Sequence, residues 1–173
     1  MPLPQRKEYT IEDIYSLSEG TRAELIDGQI YYMVPPTRRH QRLLLSISHT
    51  IADYIDKKGS SCEVDIAPFA VFLNEDDRNY VEPDISVICD TNKLTDRGCS
   101  GAPDWIIEIV SPSSRRMDYS TKNTLYSEAG VQEYWIVDPE KERTTVYRYA
   151  EDAAPIIFPF HSPVSAGLYP DLE

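Results

Sequence analysis

Two charged side chains lie where the sequence pattern predicts a buried core. Glu108 interrupts the apolar run of residues 105–110, and a buried carboxylate without a partner costs several kcal/mol. Lys122 recurs with Leu125 and Tyr126 at helical spacing, which puts its amine on the apolar face of a helix. For Glu108, the structural alternative is an ion pair with one basic residue. For Lys122, the alternative is that its aliphatic chain runs along a tyrosine and its ammonium reaches water.

Asp84 supplies a second carboxylate at the end of a predicted strand. It follows Pro83 and precedes the apolar residues 85–89, and alone it would be interpreted as a turn residue. Strand alternation puts Glu108 on one face with Asp104, Ile106 and Val110. Glu108 also lies near the carboxyl end of its strand, where α/β folds place their sites. Two such carboxylates, together with water and a backbone carbonyl, favour Mg²⁺ or Mn²⁺.

His40 and Glu24 are weaker candidates on the residues alone. His40 shares one helical stripe with Leu44 and Ile51 and is expected to face inward at the start of its helix. Glu24 lies in a predicted strand of residues 22–26, where an exposed glutamate is the common outcome. His49 falls off the apolar stripe, is expected to face solvent, and is given no role.

The elements that must position these residues follow from periodicity and turn signals. Asp27-Gly28 is typical of a hairpin turn, and Thr37 is expected to start the long helix. Residues 90–102 are predicted as a long loop, and the tail after Glu151 as irregular structure or one edge strand. The remaining elements are helices at 11–17 and 118–129 and strands at 22–26, 29–34, 61–66, 69–73, 85–89, 105–110, 133–137 and 144–149. This order predicts an α/β or α+β fold with a central mixed β-sheet flanked by helices.

Composition limits the class of protein. The 173 residues carry a net charge of -12, so one domain over residues 1–173 is expected, and the whole molecule should repel nucleic acid and anionic membrane. The three cysteines, Cys62, Cys89 and Cys99, are odd in number and lack CxxC spacing, which argues against a disulfide framework or a structural zinc site. The first residues lack a signal-peptide core and no apolar run is long enough for a membrane helix, so a cytoplasmic protein without membrane contact is expected.

Basic residues gather at two predicted helix starts. They are Arg38, Arg39, Arg42, Arg115 and Arg116. Helix N-termini favour phosphate, so these five arginines, called the arginine rim below, could bind DNA locally despite the net charge. A solvated charge cluster is the alternative.

Several of these segments, in this order, resemble one family. They are AELIDG at 23–28, Arg39-His40, VEPDISV at 81–87, GAPDWIIEIVSPS at 101–113, Lys122 with Tyr126, and EYWIVDP at 133–139. Together they resemble the Uma-type putative restriction endonucleases, which are similar to PD-(D/E)XK nucleases. The resemblance extends from Tyr9 to Tyr149 and implies the restriction-endonuclease-like fold.

The resemblance also implies roles for individual residues. Asp84 and Glu108 match the two acids of the PD-(D/E)XK signature, and the carbonyl of Ile109 is expected to join them in binding metal. The superfamily's lysine would stand at position 110, where this chain has Val110. The family resemblance implies that Lys122 on the following helix takes over that role.

Glu24 and His40 match positions that the family keeps near its site. The resemblance thus implies a Mg²⁺- or Mn²⁺-dependent endonuclease that acts on DNA and leaves 5′-phosphate and 3′-hydroxyl ends. A homo-oligomer, such as a dimer, is also expected. The alternative from another class is a non-catalytic module that keeps the fold for self-association or protein binding.

Overall fold

The computed structural model describes residues 6–173. Its α-helices are α1 (Ile11–Tyr15), α2 (Arg38–Lys58) and α3 (Lys122–Ala129). Its strands are β1 (Ala23–Ile26), β2 (Gln29–Tyr32), β3 (Glu63–Ile66), β4 (Val71–Phe72), β5 (Ile85–Ile88), β6 (Leu94–Thr95), β7 (Gly98–Ser100), β8 (Trp105–Ile109), β9 (Glu133–Asp138), β10 (Arg143–Arg148) and β11 (Ile156–Pro159).

The central element is a six-stranded mixed sheet in the order β11-β10-β9-β8-β5-β3. β8 and β9 are parallel, and the other neighbours in this sheet are antiparallel. A parallel pair needs a crossover connection, and α3 lies on the segment that joins β8 to β9. The predicted mixed sheet flanked by helices is therefore confirmed.

β8 is buried on both faces, as its nearly continuous apolar sequence predicts. Ile107 and Ile109 pack against Leu44 and other α2 residues on one face. Ile106 and Val110 pack against the residues of α3 on the other face. Glu108 has the same parity as Ile106 and Val110, so strand alternation points it toward α3.

The hairpin β1–β2 lies against the segment that leads into β5. Asp27 and Gly28 both have positive φ, of 48° and 72°, as a two-residue hairpin turn requires. Leu25 and Tyr80 exchange backbone hydrogen bonds of 2.7 and 2.8 Å. Ile26 joins the α3-side core, so this face of the hairpin is directed toward β8.

Residues 90–102 are more ordered than predicted. β6 and β7 form a small three-stranded sheet with β4, so the interpretation of this segment as a loop is wrong. Strands of two or three residues are too short to leave a periodic signal. In the tail, β11 is an edge strand that pairs with β10, which confirms one of the two alternatives for that region.

Cys62 and Cys89 form a disulfide, so the argument against disulfide bonding is wrong for this pair. β3 and β5 are antiparallel with Glu63 opposite Ile88, and the next position along the ladder sets Cys62 opposite Cys89. Cysteine number and spacing along the chain carry no information about this strand register. Cys99 is buried and free.

Candidate active site

Lys122 lies at the centre of a buried cluster of carboxylates. Its Nζ donates hydrogen bonds to Glu24 Oε1 at 2.9 Å and to Glu108 Oε1 at 2.8 Å. Asp118 Oδ1 lies 4.0 Å from the same ammonium. Glu24, Glu108 and Lys122 are each 4% exposed, so the inward orientation predicted for Glu108 and Lys122 is confirmed.

Glu24 is buried, although a strand glutamate is usually exposed to solvent. All four positions of β1 are buried, and Glu24 Oε1 also accepts a hydrogen bond of 2.9 Å from the Glu82 amide. The alternative of an exposed strand glutamate is therefore wrong. The hairpin covers the α3 face of the core, so neither face of β1 is left to solvent.

Charge in this cluster is unbalanced toward the negative. Burial lowers the pKa of Lys122, but Glu108, Glu24 and Asp118 outweigh it and raise the pKa well above its ordinary value. Burial raises the pKa of Glu108 well above its usual range, and the charges of Asp84, Asp118 and Glu24 add to that effect while Lys122 opposes it. One ammonium is thus shared among several acids, which creates an electrostatic demand for a further cation or proton.

Asp84 is tied to the end of β8. Ile85 stands opposite Ile107 in the β5–β8 pair, so the next position sets Asp84 opposite Glu108. Asp84 Oδ2 accepts a hydrogen bond of 2.7 Å from the Ile109 amide, and the Asp84 amide lies 3.4 Å from Glu108 Oε2. The structure therefore brings the two predicted acids to adjacent positions on neighbouring strands.

His40, in the first turn of α2, contacts the carboxylate of Asp84. Thr37 caps this helix by accepting a hydrogen bond from the His40 amide, and His40 Nε2 lies 3.2 Å from Asp84 Oδ2. Burial lowers the pKa of His40, but Asp84, with a smaller contribution from the Ile109 backbone, raises it above its ordinary value. The protonated form of the imidazole is therefore favoured more than in a free histidine.

Tyr126 fixes the orientation of Glu108. Its hydroxyl donates a hydrogen bond of 2.7 Å to Glu108 Oε1. Burial and the charge of Glu108 raise the pKa of Tyr126 well above its ordinary value, so the hydroxyl keeps its proton. Glu108 Oε1 thus accepts from both Lys122 and Tyr126. Among residues 6–173, Oε2 has only the long contact with the Asp84 amide.

Asp118 is a member of the cluster that the sequence reasoning missed. It is 2% exposed and lies in a π-helical turn, Met117–Thr121, that runs into α3. Burial raises its pKa to about 6, although Lys122 and the Ser114 hydroxyl oppose the shift. Its spacing of four residues before Lys122 puts both on one stripe, and that spacing was the signal that could have identified it.

The predicted arginine rim is partly neutralised within the chain. Arg115 forms hydrogen bonds with both carboxylate oxygens of Asp138 and with Glu140, and Arg39 pairs with Glu142 at 3.3 Å. Arg38 and Arg42 are exposed, and neither forms an ion pair with another residue of the range 6–173. Arg39, His40, Val110 and Arg115 help to line a cleft of about 200 Å³ beside the acids.

The donor set fits a hard divalent cation. Carboxylate and carbonyl oxygens are the ligands that Mg²⁺ and Mn²⁺ prefer, and the excess of buried carboxylates favours such an ion. Side chains of residues 6–173 include no set of three or more His, Cys, Asp or Glu arranged as a ready metal centre. Asp84 and Glu108 would therefore need a backbone carbonyl or water to complete the coordination, as predicted for Ile109.

The helices of residues 6–173 do not meet the requirements of a bilayer-spanning segment. Even the 21-residue α2, like the other helices of residues 6–173, lacks the length of apolar sequence that a transmembrane segment needs.

Comparisons with known proteins identify the family and the fold. An uncharacterized protein of Synechocystis sp. is 27% identical over 130 residues, which cover 75% of this chain and 67% of that protein. A crystal structure of a putative nuclease belonging to DUF820 from Anabaena variabilis superposes with a TM-score of 0.75 at 21% identity, covering 93% of this chain and 90% of the other. This second likeness shows a shared fold. The Uma2 family, described as putative restriction endonucleases, matches residues 9–166, and the chain therefore belongs to that family.

Proposed function

We propose that the chain is a divalent-metal-dependent nuclease that hydrolyses phosphodiester bonds in DNA. The observation that carries this proposal is the cluster in which Lys122 lies between Glu24 and Glu108 while Asp84 stands at the adjacent strand position. Membership in a family described as putative restriction endonucleases supports it. We also propose that residues 1–173 form a single nuclease domain.

Asp84 and Glu108 are proposed to hold the metal through carboxylate oxygens. Glu108 Oε2 has only one long contact, and Asp84 uses Oδ2 for its hydrogen bonds within residues 6–173. Oδ1 of Asp84 and Oε2 of Glu108 are thus the oxygens left for a ligand. A bound Mg²⁺ or Mn²⁺ would supply charge neutralisation at the scissile phosphate and would activate water.

Lys122 is proposed to act on phosphate and water rather than on the metal. Its raised pKa keeps the ammonium charged, and Glu24 and Glu108 hold it in a fixed position. A positioned cation stabilises charge that develops on phosphate oxygens in the transition state. Glu24 would orient the lysine, and it could share in holding a second metal or a metal-bound water.

His40 is proposed to contact the phosphate or the attacking water. Its Nε2 is held by Asp84, and positive charge on the ring suits an anionic substrate. The cleft that His40 and Val110 help to line gives the substrate an approach to the acids.

Cleavage of DNA by the purified chain tests the proposal. With Mn²⁺ or Mg²⁺, we expect labelled single-stranded or double-stranded DNA to be cut into products with 5′-phosphate and 3′-hydroxyl ends, and EDTA should stop the reaction. Glu108→Gln, purified in the same way, is the control for a contaminating nuclease. Cleavage that is equal in this variant would contradict the proposal, as would the absence of cleavage with every divalent metal tested.

The arginine rim gives a separate prediction about DNA binding. Replacing Arg38, Arg39 and Arg42 with alanine should flatten the dependence of log K on log salt by about two to three units if all three contact phosphate, because each contact releases counterions. Arg39 already has Glu142 as a partner, so Arg38→Ala with Arg42→Ala should account for most of the change. Binding titrations at several salt concentrations measure the slope, and an unchanged slope would mean that the rim is solvated surface.

A further inference from the structure

Tyr31, on the outer strand of the hairpin, stands beside the carboxylate–lysine cluster. In the β1–β2 pair it lies directly opposite Glu24. Residues directly opposite each other in an antiparallel pair project from the same face, with Cβ atoms about 5 Å apart. Glu24 is 4% exposed and Tyr31 is 38% exposed, so the tyrosine stands where the cluster meets solvent.

The packing of the hairpin identifies which face this is. Ile26, two residues after Glu24, belongs to the core that contains Ile106 and Tyr126. Leu25 and Ile30 belong to the opposite face, which packs against α1. Tyr31 is therefore on the face of Glu24, whereas Tyr32 projects with Ala23 and Leu25 from the other face.

The ring of Tyr31 is available for a ligand. Tyr15 and Tyr54 pair with the rings of Tyr80 and Tyr169, whereas neither tyrosine of β2 has such a pair within residues 6–173, and of these two only Tyr31 is on the face of Glu24. Within residues 6–173, the ring of Tyr31 pairs with no aromatic ring or cation, and its hydroxyl forms no hydrogen bond. Within residues 6–173, β1 is the only strand that pairs with β2. No further strand on the outer edge of β2 therefore covers the ring.

The net charge of -12 makes an uncharged contact valuable for a nucleic-acid substrate. Stacking of a base on an aromatic ring needs no positive charge and tolerates any sequence, because every base has a π-face. The faces of bases inside an intact duplex are covered by their neighbours, so only an unpaired or extruded base can stack on a protein ring.

We infer that Tyr31 stacks on a nucleobase next to the scissile phosphodiester, so the preferred substrate carries an unpaired nucleotide there, as in single-stranded DNA or a frayed end. This inference rests on the proposed nuclease function and adds the class of DNA to it. Tyr31 contacts substrate without taking part in the chemistry. Its loss should therefore weaken binding of single strands and leave the binding of duplex DNA unchanged.

A binding experiment with matched tyrosine variants tests the inference. The probe is a single-stranded oligonucleotide that contains 2-aminopurine, whose fluorescence is quenched by stacking, and a duplex of the same sequence serves for comparison. Ca²⁺ replaces Mn²⁺ so that the strands stay intact. Tyr31→Leu removes the aromatic face but keeps an apolar side chain, Tyr31→Phe keeps the ring, and Tyr32→Leu is the control on the opposite face.

We expect the wild-type chain to bind the single strand more tightly than the duplex. Tyr31→Leu should weaken single-strand binding by about tenfold and reduce the quenching, because base–aromatic stacking makes a contribution of this order. Tyr31→Phe and Tyr32→Leu should bind like wild type. Thermal melting checks that every variant is folded, and both leucine variants alter exposed positions of the same strand.

Two results would overturn the inference. Single-strand binding by Tyr31→Leu that equals wild type would exclude stacking, and equal losses in Tyr31→Leu and Tyr32→Leu would make the hairpin a general apolar surface, such as a protein contact. Cleavage of DNA with Mn²⁺ by the wild-type chain is measured in parallel. If wild type cleaves while Tyr31→Leu behaves like wild type, only the stacking role is wrong, whereas absence of both binding and cleavage in wild type would remove the proposed function as well.

Discussion

Lys122→Ala is expected to lower the rate of DNA cleavage by about a hundredfold or more, since loss of one positioned electrostatic group typically has an effect of this size. Mn²⁺ binding should be largely retained, because the proposed ligands are Asp84 and Glu108. Lys57, which is exposed and pairs with Asp53, provides the matched control Lys57→Ala, and this variant should cleave normally. Single-turnover rates with Mn²⁺ measure the effect, and a wild-type rate for Lys122→Ala would show that the lysine assignment is wrong.

Loss of the ammonium also affects folding, so a second variant is needed. Removing one partner of a buried ion pair costs about 3–5 kcal/mol, and Lys122→Ala leaves both Glu24 and Glu108 without a cation. Lys122→Arg keeps the positive charge but changes the position of the donors. It should fold and bind Mn²⁺, yet cleave slowly.

The displaced position of the lysine can be tested by moving it back. Val110 directly follows β8, is buried in the same core cluster as Ile106 and helps to line the cleft beside His40. A lysine at this position could approach the acids from the strand, as it does in the wider superfamily. The double variant Lys122→Ala with Val110→Lys should recover part of the activity that Lys122→Ala loses. If the double variant is folded and binds metal but gains nothing, only the equivalence of the two positions is lost.

Asp84→Asn and Glu108→Gln should each abolish the heat of Mn²⁺ binding in calorimetry, and DNA cleavage with it. Each change removes one of two carboxylate ligands, and an amide oxygen is a weaker ligand for a hard cation. The fold should persist, because Gln at position 108 can still accept from Lys122 and Tyr126 through its amide oxygen. Binding that is undiminished in both variants would contradict the proposed site.

A matched control and a proton measurement sharpen this experiment. Asp104→Asn changes a carboxylate just before the other end of β8, where Asp104 accepts a hydrogen bond of 2.7 Å from the Cys89 amide, and it should leave Mn²⁺ binding intact. Burial raises the pKa of Glu108, and a carboxylate must lose its proton to bind metal, so proton release on metal binding is expected to increase as the pH is lowered. The heat of binding is then expected to differ between buffers of different ionisation enthalpy.

The main elements and most of the cluster could be predicted because each broke a regular pattern. Glu108 was conspicuous in an apolar strand, and Lys122 was conspicuous on an apolar helix stripe. Asp84 gained meaning only beside Glu108, because both acids were expected at the ends of their strands, and the family resemblance then matched the pair to the two acids of one signature. Periodicity fixes faces but not the order of strands in a sheet, so the adjacency of β5 and β8 could not be derived from it.

The features that escaped prediction depend on contacts between distant segments. Burial of Glu24 follows from the docking of the hairpin through Leu25 and Tyr80, and the disulfide follows from the register of β3 and β5. The neutralisation of Arg115 depends on Asp138, which lies 23 residues further along the chain. None of these contacts leaves a local signal in the sequence.

The most direct test of the central claim is a crystal structure of the wild-type chain with Mn²⁺, in which anomalous scattering locates the metal. The account predicts an anomalous peak that contacts carboxylate oxygens of Asp84 and Glu108 and the carbonyl oxygen of Ile109, with Lys122 close by but outside the coordination sphere. An Mn²⁺-containing crystal in which these acids contact no metal, with Lys122 still the only cation between Glu24 and Glu108, would contradict it.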